Sequence, residues 1–178
     1  MSQLKIPVVP EDHSQGDAAA PCTLVEYGDY QCPYCGQAYS VVKRLQKHFG
    51  KRLRFVFRNF PLNQAHQYAE VAAETAEFAA AHGKFWEMHD LLYENQDRLD
   101  IDLLAELAEK LQLSVKDLQA ALQAGTYRSR VRADFSGGVR SGVNGTPSFF
   151  INGQRHDEAP GYQELVDAIG RALTAAGG

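Results

Sequence analysis

Apolar residues along the chain follow two rhythms, and the changes between them outline the architecture. Thr23 to Tyr27 is a β-prone run closed by Gly28, and Leu53 to Phe60 is a second, closed by Pro61. Between them Tyr34, Ala38, Val41, Val42, Leu45 and Phe49 recur at helical spacing. That helix starts at Pro33, a tolerated first-turn residue, and stops at Gly50. Strand, helix and strand within about 40 residues form a βαβ unit, which predicts a parallel strand pair with a right-handed crossover.

Residues 65–124 carry the helical rhythm almost alone. Tyr68, Val71, Ala72, Thr75, Phe78 and Ala79 form one stripe, and Gly83 breaks it. Phe85, Trp86, Met88, His89, Leu91 and Leu92 follow, then Ile101, Leu104, Leu107, Ala108 and Leu111. Ser114 and Asp117 make a near capping box for a last helix with Val115, Leu118, Ala121 and Leu122. Successive helices with no strand between them predict an inserted all-helical subdomain.

A further helix is expected from Thr126 to about Ser141, where Gly137-Gly138 either weakens it or marks close packing. Asn152-Gly153 between β-like residues predicts a two-residue hairpin. A final amphipathic helix carries Tyr162, Leu165, Val166, Ile169 and Leu173, with Ala175 to Gly178 expected to fray. Lys5 to Val9 reads as a short edge strand and residues 10–21 as a surface loop. The fold class is therefore α/β, a mixed four-stranded sheet flanked by helices. Residues 1–63 and 126–178 build it, and residues 64–125 are the helical insertion.

Composition narrows the function. Hydrophobic residues make up 44% and charged residues 22%, as in ordinary globular proteins. A net charge of −4 gives no support to nucleic-acid binding, and no apolar run is long enough for membrane insertion. Residues 1–10 lack the long apolar core of a secretory signal. The expectation is a cytoplasmic protein as written, or a periplasmic or other extracytoplasmic one if a signal has been removed.

Two of the three cysteines, Cys32 and Cys35, stand in a C-x-x-C at the start of the first helix. Unpaired N–H groups and the helix dipole there stabilise a thiolate. Cys32 would be the exposed nucleophile and Cys35, one turn in, the resolving thiol. Pro33 and Tyr34 between them would tune the potential. The competing reading is a zinc half-site, but the remaining cysteine and six histidines form no second pair at ligand spacing, so no metal is expected. Glu26, inside the apolar strand before the dithiol, either faces solvent or is a buried carboxyl of raised pKa that relays a proton to Cys35. Pro147, after Thr146, reads locally as an ordinary strand-start proline. Cys22 reads as a small buried hydrophobe. His66, His82 and His89 read as packed or capped helix histidines, and Arg128, Arg130, Arg132 and Arg140 as a solvated face.

Together these residues resemble the DsbA-like branch of the thioredoxin superfamily over nearly the whole chain. The resemblance rests on Asp12-His13-x-x-Gly16, on Thr23 through Cys35, on Lys84 through Asp90 and on Gly142 through Gly153. It implies a thioredoxin-like fold with a helical insertion. It assigns attack on the disulfide to Cys32, resolution to Cys35, and the buried acid to Glu26. It also implies a cis Pro147 packed on the dithiol, with Thr146 offering backbone groups to substrate peptides and Pro33 and Tyr34 beside them. Protein thiols and disulfides are the implied substrates, with a redox partner and no cofactor. Cys-Pro-Tyr-Cys also occurs in glutaredoxin-like proteins, so oxidase and reductase or isomerase stay open. Two rivals stand: a glutathione-dependent transferase or isomerase on the same fold, and a non-catalytic zinc- or partner-binding module.

Overall fold

The computed structural model describes residues 2–177. Strand β1 is His13–Gln15, β2 Cys22–Gly28 and β3 Leu53–Asn59, with helix α1, Pro33–Phe49, between β2 and β3. Helices α2 (Ala69–Ala81), α3 (Phe85–Glu94), α4 (Ile101–Lys110) and α5 (Val115–Ala124) follow without a strand. Helix α6 (Arg128–Arg140), strands β4 (Ser148–Ile151) and β5 (Gln154–His156) and helix α7 (Tyr162–Gly177) complete the chain. The sheet order is β1-β3-β2-β4-β5, with β2 and β3 parallel and every other pair antiparallel. This is a thioredoxin-like fold with helices inserted between β3 and α6.

The sheet has five strands, not the expected four. The extra strand, β1, lies in the segment read as loop, and Lys5 to Val9, read as an edge strand, is not one. The reason is where the backbone groups go. The Arg58 guanidinium donates to the carbonyls of Ile6 and Pro7 at 2.9 Å each, Ser141 Oγ accepts from the Lys5 N–H, and Pro7 has no N–H. His13 instead reaches the edge of β3, opposite Phe57, with its ring 2.9 Å from Glu77 Oε1 and stacked on Phe85. Three polar residues in β1 carry no alternation that could have announced a strand.

Side-chain alternation sorts the sheet into two faces. Leu24, Phe55, Phe57 and Phe149 share a core with Cys35, Ala38, Val42 and Leu45 of α1, continuous with the α2–α5 residues Ala76, Met88, Leu92 and Leu104. Val25, Tyr27, Val56 and Phe150 face the other way and meet Phe60 and Val143. Glu26 has the parity of Leu24 and so faces α1. Gly137-Gly138 does not interrupt α6, and a Cβ at Gly138 would run into the Phe60 and Tyr27 rings, so close packing is the reading that applies. Ser114 Oγ caps α5 by accepting from the Asp117 N–H at 3.1 Å. Asn152 and Gly153 take φ of 46° and 82°, forming the hairpin turn between β4 and β5. Ala175 and Ala176 remain helical instead of fraying, as strong helix formers allow, and Gly178 lies outside the described residues.

The Arg58 pair with Asp12 ties the amino-terminal segment to β3. Arg58 Nε and Nη2 donate to the two Asp12 oxygens at 2.9 Å each, and Nη1 donates to Tyr27 Oη at 3.0 Å. Both residues are buried. Asp12→Ala leaves a buried cation without its anion and is expected to cost about 3–5 kcal/mol, read by urea unfolding.

Candidate active site at the amino terminus of helix α1

β2 ends at Gly28, and Asp29, Tyr30 and Gln31 carry the chain to Cys32, the N-cap of α1. Cys32 is extended, with φ −71° and ψ 120°, and its carbonyl accepts the Gly36 N–H at 3.1 Å. Pro33 occupies the first helical position, where a missing N–H costs nothing. Cys32 is buried, 3% exposed, and so is not the exposed thiol expected from the sequence, because the segment at Thr146 and the Cys35 side chain lie against it; its side chain makes no cap to the backbone. Its sulfur is held as an anion by the Cys35 thiol, by Thr146 and by the N–H groups of Cys35 and Tyr34, which outweigh burial and bring its pKa down to about 5. The Thr146 hydroxyl oxygen is buried without a hydrogen-bond partner, and the Thr146 carbonyl lies 3.5 Å from Cys32 Sγ.

Cys35 is fully buried. Burial, the neighbouring Cys32 and the Glu26 charge push its pKa well above that of an ordinary cysteine, although the Asp29 N–H donates to its sulfur at 3.5 Å. Both cysteines are free thiols here. Glu26 is 2% exposed, so the solvent-facing alternative for it does not apply. Its Oε1 has no hydrogen-bond partner, and burial together with the Cys32 charge raises its pKa to about 8. The Thr146–Pro147 peptide bond is cis and leads into β4, which pairs with β2 so that Phe149 lies opposite Glu26. Pro33 is exposed, and Tyr34, 69% exposed, walls a 240 Å³ cavity with Gln37, Ala38, Val41, Pro160 and Gly161.

Segments far apart in sequence therefore converge on Cys32: β2 through Glu26, α1 through Cys35, and the loop before β4 through Thr146. Sequence reasoning missed the groups that hold the connecting loop. The buried Asp29 carboxylate accepts from the N–H groups of Gln31 and Leu62 and lies 2.7 Å from His66 Nδ1. Gln31 Oε1 accepts from the Tyr68 N–H at 2.7 Å, and Gln96 Nε2 donates to the carbonyls of Tyr30 and Cys32 at 2.8 Å each. Asp29, beside a strand-ending glycine, offered a weak loop signal, whereas nothing local marks Gln96. His89 is packed as expected, with its buried Nδ1 2.9 Å from Tyr30 Oη, and the exposed His82 is the C-cap of α2, with its Nδ1 2.9 Å from the Phe78 carbonyl; His66, also expected on a helix, lies before α2, where it pairs with Asp29. Among the described residues, no three His, Cys, Asp or Glu side chains gather as metal ligands, and no helix is long and apolar enough to cross a membrane.

Two neighbouring cysteine thiols at the start of a helix, beside a cis-proline loop on a sheet with a helical insertion, are the arrangement of a thioredoxin-class protein. The chain belongs to the Thioredoxin family, whose pattern it matches over residues 9–171. Its fold is that of the DsbA-type proteins. It superposes on oxidised BdbD from Bacillus subtilis with a TM-score of 0.85 and 25% identity, covering 97% of this chain and 98% of that one. Wolbachia pipientis alpha-DsbA1 shares the fold at a TM-score of 0.83 and 20% identity, covering 97% and 96% of the two chains. The Na(+)/H(+) antiporter NhaA 1 of Salinispora arenicola (strain CNS-205) is 44% identical over 174 residues, which is 97% of this chain and 26% of that protein. The chain thus spans about a quarter of the length of the curated relatives it matches.

Thiolate absorbance of the reduced protein is expected to rise with a midpoint near pH 5 and to lose that step in Cys32→Ser. The folded Cys32 value lies below the ordinary 9.0, so the unfolded chain binds more protons between them. Cys32 therefore stabilises the reduced fold increasingly from about pH 5 to 9, and that contribution is lost as pH falls through 5. Glu26 works in the opposite sense: raised from 4.5 to about 8, it favours the fold most at low pH and less as pH rises through 8. Denaturant midpoints of the reduced protein and of Cys32→Ser across this range check the first contribution.

Proposed function

We propose that the chain is a thiol–disulfide oxidoreductase that exchanges disulfides with protein dithiols through Cys32 and Cys35, acting as a dithiol oxidase. The observation that carries this reading is the contrast between two adjacent thiols, one lowered to about pH 5 and the other raised well above the ordinary value. A thiolate stabilised in the dithiol form makes the corresponding disulfide a stronger oxidant.

In the oxidising direction a substrate thiolate attacks Cys32 Sγ of the Cys32–Cys35 disulfide. The S–S bond breaks, the mixed disulfide forms on Cys32, and Cys35 leaves with the electron pair. Neutral Glu26 supplies the proton that the buried Cys35 sulfur needs. The second substrate thiolate then attacks its partner sulfur in the mixed disulfide and releases Cys32 as the stabilised thiolate, leaving the substrate oxidised and the dithiol reduced. Thr146 and cis Pro147 present backbone groups to the substrate peptide, and Pro33 with the exposed Tyr34 adds a surface for it. A redox partner restores the disulfide by the reverse exchange. An oxidising pair suits an extracytoplasmic compartment, the second of the two locations weighed from the sequence. Residues 64–125 form the helical subdomain in this reading. The antiporter name of the relatives describes proteins about four times as long; what this chain shares with them is the thioredoxin-like part.

Equilibration with glutathione tests the direction: a potential near about −120 mV supports the oxidase, and one near about −270 mV overturns it in favour of a reductase. Cys32→Ser should abolish exchange with a dithiol peptide. Cys35→Ser should trap the mixed disulfide, whereas undiminished turnover in it would favour a glutathione-dependent enzyme.

Glu26→Gln removes the proton donor but keeps the shape. It is expected to slow exchange by on the order of 100-fold. The wild-type rate should have a basic limb where Glu26 ionises, raised by burial above the ordinary carboxylate range but, with Cys32 uncharged in the disulfide, below about 8, that the variant lacks. Stopped-flow oxidation of a dithiol peptide across pH 6–9 reads both.

A further inference from the structure

The catalytic reading leaves unused one polar side chain that reaches the dithiol from the inserted helices. Gln96 stands in the short turn Gln96–Arg98 that follows α3. Its carboxamide donates both hydrogens at 2.8 Å, one to the Tyr30 carbonyl and one to the Cys32 carbonyl. The Cys32 carbonyl is also the first acceptor of α1, taking the Gly36 N–H. The other end of the carboxamide, Oε1, lies over Gly36, and a Cβ at that position would collide with it. The turn is itself held in place: Asn95 donates from its backbone N–H and its Nδ2 to the Leu91 carbonyl, and the buried Leu99 donates its N–H to the Gln96 carbonyl.

We propose that Gln96 is a positioning residue for Cys32, a clamp from the helical insertion that fixes the direction of the thiol and admits only glycine at position 36. The inference rests on the Cys32–Cys35 reading and deepens it. How far the Cys35 thiol, Thr146 and the N–H groups of Cys35 and Tyr34 favour the Cys32 thiolate depends on the dihedral angles of Cys32, which aim its sulfur. The same angles set where its carbonyl points. Holding that carbonyl and the Tyr30 carbonyl from one planar amide removes rotation on both sides of Gln31, so the sulfur stays where its donors converge. An amide suits the task because it supplies two donors with no net charge. A lysine or arginine would bring a cation against the thiolate, and a carboxylate would set oxygens against two carbonyls.

The glycine provides a test that leaves Gln96 itself untouched. Alanine is a better helix former than glycine, so Gly36→Ala should not weaken α1 on propensity grounds, yet its methyl displaces the carboxamide. The thiolate midpoint of the reduced protein is measured by absorbance in wild type, Gln96→Ala, Gly36→Ala and the double variant, at temperatures well below each melting transition. Each single variant is expected to raise the Cys32 midpoint by about one pH unit, and the double variant by no more than either alone, because all three lose the same bonds. Unchanged midpoints in both single variants, with only a lowered melting temperature, would show a purely structural role and overturn the clamp. Additive shifts would overturn the coupling of Gly36 to Gln96. Should Gln96→Ala fail to fold, Gly36→Ala decides the matter alone. A wild-type midpoint near that of free cysteine would instead sink the underlying reading of Cys32, an outcome distinct from all of these.

Discussion

Glu26, Cys32 and Cys35 are three acids in one buried neighbourhood, and each negative charge there opposes the next. Cys32 raises Glu26, and both raise Cys35. Such a site accommodates one anion, and the placement of donors decides which group carries it. The N–H groups of the first helical turn, the Cys35 thiol and Thr146 all favour Cys32. Cys35 has a single N–H, from Asp29, and Glu26 Oε1 has none. In the proposed exchange this lets a proton pass between Glu26 and Cys35 while the charge on the Cys32 sulfur rises and falls.

The architecture serves this arrangement. The parallel β2–β3 pair with α1 across it sets the helix N-terminus at the carboxyl end of the central strands, where a βα loop naturally opens. β4 must lie antiparallel to β2 for the residues just before it, Thr146 and Pro147, to reach the same end. The loop itself is then fixed from the outside. Asp29 anchors it to Leu62 and His66, Gln31 to Tyr68, and the carbonyls of Tyr30 and Cys32 to Gln96. Those anchors come from the β3–α2 connection and from the end of α3, so the inserted helices share both their apolar core and their polar contacts with the loop that carries Cys32.

Much of this was legible in the sequence because its signals are local. The βαβ unit announces itself through a change of period, the hairpin through Asn152-Gly153, and the dithiol through spacing at a helix start. What was not legible depends on partners distant along the chain. Ser14 and its neighbours form a strand because β3 offers a free edge and Glu77 a partner for His13, neither visible in a three-residue polar run. The burial of Glu26 was one of two readings of a single carboxylate in an apolar strand, and only the α1 side of the sheet decides between them. Gln96 carries no motif; its meaning comes from two carbonyls more than sixty residues earlier in the chain.

Cys22 supplies the internal comparison that separates burial from hydrogen bonding as the cause of a shifted thiol pKa. It lies at the start of β2, the strand that leads to Cys32, has no exposed surface and belongs to the same hydrophobic cluster as Cys32, which is itself only 3% exposed. Yet burial alone acts on Cys22 and raises its pKa to about 11, whereas that of Cys32 falls to about 5. The direction of the shift is reversed because the Cys35 thiol and Thr146 favour the Cys32 thiolate, and the N–H groups at the start of the helix add to them. Enclosure at Cys32 opposes the thiolate as it does at Cys22, but the donors outweigh it. Once the donors are aimed at the sulfur, exclusion of water strengthens each of those bonds and keeps them from being exchanged for solvent. A cysteine moved one turn along α1 would keep the enclosure and lose most of the donors, which is the situation of Cys35.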